Sequence, residues 1–111
     1  MFSASARVRV YVCREPTDMR KSFAGLQGMV RGVLERDPLS GHLFCFFNRR
    51  ENYAKVLWWD VSGYCIWAKK LSRGTFSRPS IEELTLSELQ QILDGIDLGA
   101  KRKRRLKLLA N

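Results

Sequence analysis

The stretch from Tyr53 to Phe76, Tyr-Ala-Lys-Val-Leu-Trp-Trp-Asp-Val-Ser-Gly-Tyr-Cys-Ile-Trp-Ala-Lys-Lys-Leu-Ser-Arg-Gly-Thr-Phe, reads as a β-hairpin. Two β-prone runs, Ala54 to Trp59 and Tyr64 to Lys69, flank the turn signal Asp60-Val61-Ser62-Gly63, and that spacing favours antiparallel pairing through a short loop. Side chains alternate across a strand, so Trp58 and Trp59 must face opposite sides of the sheet, and at least one belongs to the core. Tyr53, Trp58, Trp59, Tyr64 and Trp67 interleave with Lys55, Lys69 and Lys70, which is also how a stacking platform for unpaired bases is composed. Core packing is the stronger reading, because a small domain needs such large apolar side chains and each indole N–H can be satisfied inside.

Upstream, Leu43-Phe44-Cys45-Phe46-Phe47 is apolar at every position, as expected of a central strand covered on both faces. Asn48-Arg49-Arg50-Glu51-Asn52 then turns the chain into the hairpin, which makes a meander of at least three antiparallel strands with Arg49 and Arg50 at its tip. A first strand is expected from Arg7 to Cys13, where Val8, Val10 and Val12 alternate with Arg7, Arg9 and Tyr11, one face buried and one basic. A helix should begin at Thr17 or Asp18, either of which can cap free backbone N–H groups, and run to about Leu34 before Asp37-Pro38. Met19, Phe23, Leu26, Val30, Val33 and Leu34 give it a core face.

Gly25, Gly28 and Gly32 lie opposite that face, each costing about 1 kcal/mol relative to Ala in a helix interior. A bare backbone strip can admit a partner at close range, so these three are the candidate partner-binding residues; simple tolerance at a surface is the competing account. Leu71 to Arg78 reads as irregular or a short edge strand, with Gly74 allowing a bend and Pro79 closing it. A second helix is signalled by Thr85-Leu86-Ser87-Glu88, a reciprocal capping box, with Leu86, Leu89, Ile92, Leu93 and Ile96 on its buried side. The expected fold is α+β: an antiparallel β-meander sheet packed by two α-helices, with a basic C-terminal arm. Residues 1–98 are expected to form the single domain and residues 99–111 a flexible tail.

Ordered segments along the chain resemble a known family. They are Thr17-Asp18-Met19-Arg20-Lys21-Ser22-Phe23 with Gly25-Leu26, Gly41-His42-Leu43-Phe44, Lys55-Val56-Leu57-Trp58-Trp59-Asp60 with Gly63, and Lys69 to Phe76 with Arg73-Gly74 and Pro79. Together they resemble the TnpB-type accessory protein of insertion sequences of the IS-sixty-six family, encoded beside the transposase. The resemblance implies a role in transposition and partnership with the transposase and its DNA, and brings no catalytic residues with it. Gly25 fits the family pattern, whereas Gly28 and Gly32 are particular to this chain.

The 111 residues suit one domain with one modest core. No apolar run approaches 18 residues and Met1 opens no export signal, so a cytoplasmic location without membrane contact is expected. Cys13, Cys45 and Cys65 are odd in number and dispersed, which argues against a disulfide framework and for small buried hydrophobes. His42 and Cys45 are close, yet nothing completes a four-ligand zinc site, and no cofactor or metal is expected. Phosphate-binding glycine loops and a nucleophile elbow are absent, and His42 is the only imidazole. Asp18, Asp37 and Asp60 are carboxylates for a two-metal nuclease in name only, since each has a local explanation as cap, loop residue or turn starter.

Charge points elsewhere. Residues 1–78 carry a net +8, residues 79–98 a net −5 and residues 99–111 a net +6, which together make the +9 of the chain. Clustered bases concentrate a phosphate backbone at a surface. The candidate nucleic-acid-binding residues are Arg49, Arg50, Lys55, Lys69, Lys70, Arg73 and Arg78 on the meander and Lys101, Arg102, Lys103, Arg104, Arg105 and Lys107 in the arm, where a plain solvated tail is the alternative. The expected role is non-catalytic support of transposition through DNA, the transposase or both. The alternatives are a transposase adaptor without DNA contact and, behind it, a metal-dependent nuclease. Self-association is left open, and phosphate attraction alone does not separate DNA from RNA.

Overall fold

A computed structural model describes residues 7–95. The elements run β1 (Val10–Val12), α1 (Phe23–Gly32), β2 (Leu43–Phe47), β3 (Tyr53–Asp60), β4 (Gly63–Lys70), β5 (Glu83–Leu84) and α2 (Leu86–Leu93). The five strands make one sheet in the order β4-β3-β2-β1-β5. From β2 to β4 it is the expected antiparallel meander, and the fold is α+β as expected. The sheet as a whole is mixed, however, because β1 pairs parallel to β2, Val10 with Leu43 and Val12 with Cys45, while β5 adds antiparallel to β1. Parallel neighbours need a crossover long enough to return the chain, and α1 supplies it.

Each helix covers one face of the sheet. Leu89, Ile92 and Leu93 of α2 pack with Val10, Val12, Leu43, Cys45, Phe47, Ala54, Val56 and Phe76. Leu26 and Val30 of α1 pack with Tyr11, Cys13, Phe44, Phe46 and Leu57. That two-sided cover explains why all five residues of β2 are buried. It also corrects the first strand, which is three residues long and has no basic face: Tyr11 is only 8% exposed, stacked on Phe44 and capped by the Arg36 guanidinium 3.9 Å above its ring. A strand between two neighbours and under a helix has no solvated side to give.

α1 starts later than expected. Thr17 is buried, donating its N–H to the Phe47 carbonyl at 2.8 Å, and Asp18 Oδ1 accepts from the Arg20 N–H at 2.9 Å, so both capping candidates are spent on the approach to the helix. Ser22 takes the cap position without a side-chain hydrogen bond. The buried stripe is rotated accordingly: Leu26 and Val30 are buried and Met19, Met29 and Leu34 partly so, but Phe23 and Val33 are 46% and 42% exposed. The capping box of α2 is complete, with the Glu88 N–H donating to Thr85 Oγ1 and the Thr85 N–H to Glu88 Oε1, each at 3.1 Å. Ile96 and the arm at residues 99–111 lie outside the described residues.

Candidate nucleic-acid interface

Of the basic residues that the sequence singles out, the hairpin itself carries Lys55, Lys69 and Lys70. Its register runs unbroken from Tyr53 opposite Lys70 to Asp60 opposite Gly63, closed by Val61 and Ser62. Lys55, Tyr53 and Lys70 therefore share the α1 side at the end far from that turn. There the Lys55 and Lys70 ammonium groups stand 6.0 and 5.9 Å from the Tyr53 ring centroid, within the range of cation–π attraction. Lys55 also donates to the Lys21 carbonyl at 2.8 Å, which fixes it beside the chain entering α1. Arg49 and Arg50, both exposed, occupy the turn that leads into Tyr53. Asn48 Oδ1 accepts from the Asn52 and Tyr53 N–H groups at 3.0 and 3.1 Å, and the turn is held at its base.

Two other candidates serve the fold. Lys69 faces the α2 side and donates to the Leu93 carbonyl at 2.8 Å, closing the C-terminal end of α2 where a cation meets the negative end of the helix dipole. Arg78 pairs with Glu51 at 3.3 Å and donates to the Arg14 carbonyl at 2.9 Å, tying the irregular segment after β4 to the meander turn and to the end of β1. Beside it, the Phe76 N–H donates to the Glu51 carbonyl at 2.7 Å and the Phe76 ring meets Phe47 edge-on at 5.8 Å. Arg73 is exposed. Lys101, Arg102, Lys103, Arg104, Arg105 and Lys107 lie outside the described residues.

The aromatic side chains divide between the faces. Trp58 and Trp67 pack against the α2 side, and Trp59 meets Tyr64 edge-on at 5.1 Å on the other. No single surface gathers all five aromatic residues of the hairpin. Among the glycines, an added Cβ at Gly25 would meet the Lys21 side chain at 3.1 Å, whereas at Gly28 and Gly32 nothing stands within 4 Å. The strip is thus open over its second half.

The titratable groups behave as structure. Hydrogen bonds from Arg20 hold the Asp18 carboxyl at about 2. Burial pushes the Cys13 and Cys45 thiols up, and the two lie on opposite faces of the sheet. Asp37 accepts from the Leu39 N–H at 2.9 Å, and Asp60 starts the hairpin turn. Asp18 and Asp37 stand in two different loops and Asp60 ends β3, and among the described residues no three His, Cys, Asp or Glu side chains come together as a metal site. No helix among them is long and apolar enough to cross a membrane.

Fold and charge define a small basic α+β protein with several cations grouped at one end of its sheet. The family described as "IS66 Orf2 like protein" matches residues 8–109, and the chain belongs to it. Two relatives come from Sinorhizobium fredii (strain NBRC 101917 / NGR234). "Uncharacterized protein y4hO" is 39% identical over 101 residues, covering 87% of this chain and 88% of that protein. "Uncharacterized protein y4jC" is 28% identical over 111 residues, covering 96% and 95%. No solved structure matches the chain. Membership associates the chain with transposition of insertion sequences in an accessory capacity, in a family that is generally non-enzymatic.

Proposed function

We propose that the protein supports transposition without catalysing it, by holding DNA through its basic surfaces and bringing that DNA to the transposase of the same element. The observation that carries this reading is the cluster at the far end of the hairpin, where Lys55 and Lys70 flank Tyr53 and Arg49 and Arg50 stand in the adjoining turn. Cations grouped on one edge around an aromatic ring suit a phosphate backbone with room for a sugar or base against the ring. Arg73 and the run from Lys101 to Lys107 extend the basic set. Lys55, Lys69 and Arg78 already have backbone partners within the fold and contribute to the field more than to contacts, which fall to Lys70, Arg49 and Arg50.

With about five phosphates engaged, log–log salt dependence has a slope near −4 to −5, or about 500-fold weaker binding from 50 to 200 mM salt. The test is a salt titration of the full chain, and of a chain ending at Leu98, against duplex carrying the element's end and a scrambled duplex. A steep slope reduced by the truncation, and reduced by about 2 in an Arg49→Gln, Arg50→Gln variant, supports the reading. A flat slope refutes it. The open helix surface at Gly28 and Gly32 favours a second reading, a transposase adaptor gripping protein at that strip, for which binding is insensitive to salt and Gly28→Ala with Gly32→Ala abolishes it.

A further inference from the structure

The two edges of the sheet differ sharply. β5 is two residues long and follows Pro79, a poor template for further pairing. β4 is eight residues long, pairs with β3 without a bulge, contains no proline and bears no charge until Lys69. The two-residue turn and the bond from the Leu71 N–H to the Asn52 carbonyl at 2.8 Å set its parity: Gly63, Cys65, Trp67 and Lys69 bond toward β3. The N–H and carbonyl groups of Tyr64, Ile66, Ala68 and Lys70 therefore point outward, and none has a partner among the described residues.

We infer that this edge is a homodimer interface, in which β4 pairs antiparallel with β4 of a second copy about a two-fold axis at Ile66. In that register Ile66 faces its own copy and Tyr64 faces Ala68, large against small, with about six new backbone hydrogen bonds. On the α2 side Lys69 of one copy comes opposite Gly63 of the other, whose own neighbour in β3 is the exposed Asp60. With only glycine between them, the Lys69 ammonium, kept at the Leu93 carbonyl, and that carboxylate attract across two strand spacings, about 10 Å between Cα atoms. A parallel arrangement would instead set Lys69 and Lys70 against their own copies, at a cost in repulsion. Charge thus selects a second copy in the antiparallel sense.

The two-fold axis stands perpendicular to the sheet, so both α1 faces look the same way. Tyr53 and its copy then lie eight residues apart along the strands and three strand spacings apart across them, about 30 Å in all. If the DNA reading above holds, on which this consequence alone rests, the two basic clusters meet one face of a duplex about one helical turn apart, whose length is ~34 Å.

Sedimentation velocity on the full chain, over micromolar to near-millimolar concentration at low and high salt, tests the interface. Each copy carries a net +9, so self-association should strengthen as salt rises, opposite to DNA binding. The expected result is a particle of twice the chain mass, lost in Ala68→Pro, which removes an outward N–H at a position where an edge strand tolerates proline, and lost in Ile66→Lys. Circular dichroism melts establish that both variants stay folded, and oxidation of Trp67→Cys, whose new thiol faces Cys65 of the second copy, should trap a disulfide-linked dimer. A monomer throughout overturns the inference, with a transposase strand as the next occupant to try; a dimer that survives both edge variants overturns it too. Duplex binding by the monomeric variants, with its salt slope retained, leaves the DNA reading standing whatever the interface does.

Discussion

Replacing Arg78 by Met removes one guanidinium and keeps most of the stem, which isolates the two ties that this side chain makes. The donation to the Arg14 carbonyl is a charge-assisted hydrogen bond, worth about 1.5–3 kcal/mol. The Glu51 pair, about a third exposed on both sides, adds roughly 0.5–1 kcal/mol after screening. Water can reach the abandoned Arg14 carbonyl, so the lower half of the sum, about 2 kcal/mol, is the expected loss. For a domain of this size that lowers Tm by on the order of 10 °C. Differential scanning calorimetry measures the loss directly, and a cycle with Glu51→Gln should return a coupling of about 0.5–1 kcal/mol. The DNA salt slope should stay unchanged. A Tm within a degree of the parent, together with a slope smaller by about 1, would refute the structural assignment and make Arg78 a phosphate contact.

Thr85→Ala removes the hydroxyl half of the capping box on α2, leaving the bond from its own N–H to Glu88, and should cost about 1 kcal/mol by chemical denaturation. Val61 sits at the hairpin tip with φ +45° and 91% exposure, a β-branched residue in the left-handed region, so Val61→Gly should raise stability by about 1 kcal/mol in the same assay. Of the three thiols in the folded chain, Cys65 should react with a disulfide reagent at mildly alkaline pH, and Cys13 and Cys45 only on unfolding. Asp18 has a folded pKa below its ordinary value, so its link to Arg20 is intact above about pH 4 and is lost as pH falls toward about 2. Carboxyl carbon shifts followed by NMR would record a midpoint near 2, and a midpoint near 4 would disprove the pairing.

Where the chain's signals are local, they can be read directly. Asp60-Val61-Ser62-Gly63 specifies the hairpin and its register, Thr85 and Glu88 specify a cap whose two bonds both form, and the apolar run of β2 announces cover on both faces. The parallel pairing of β1 was not legible, because a three-residue strand does not encode the direction of its neighbour; the crossover through α1 does. The start of α1 departs from its local signal for a related reason: Thr17 is drawn away from the cap by Phe47, thirty residues on. At the candidate site, exposure and basicity of Arg49, Arg50 and Lys70 followed from composition and turn position. The engagement of Arg78 did not, since its carbonyl partner lies 64 residues back along the chain.

The position of β1 inside the sheet bears on how the chain folds. Val10 pairs with Leu84, and closing a loop of that length is entropically slow compared with zipping the hairpin. The meander can collapse early, but β1 must wait for β5, more than seventy residues later, to flank it, and for Leu89, Ile92 and Leu93 to roof it. A nascent or truncated chain ending before Leu84 would leave β1 as an open apolar border under half a core. Such chains should need chaperone cover until the segment through Leu93 has emerged.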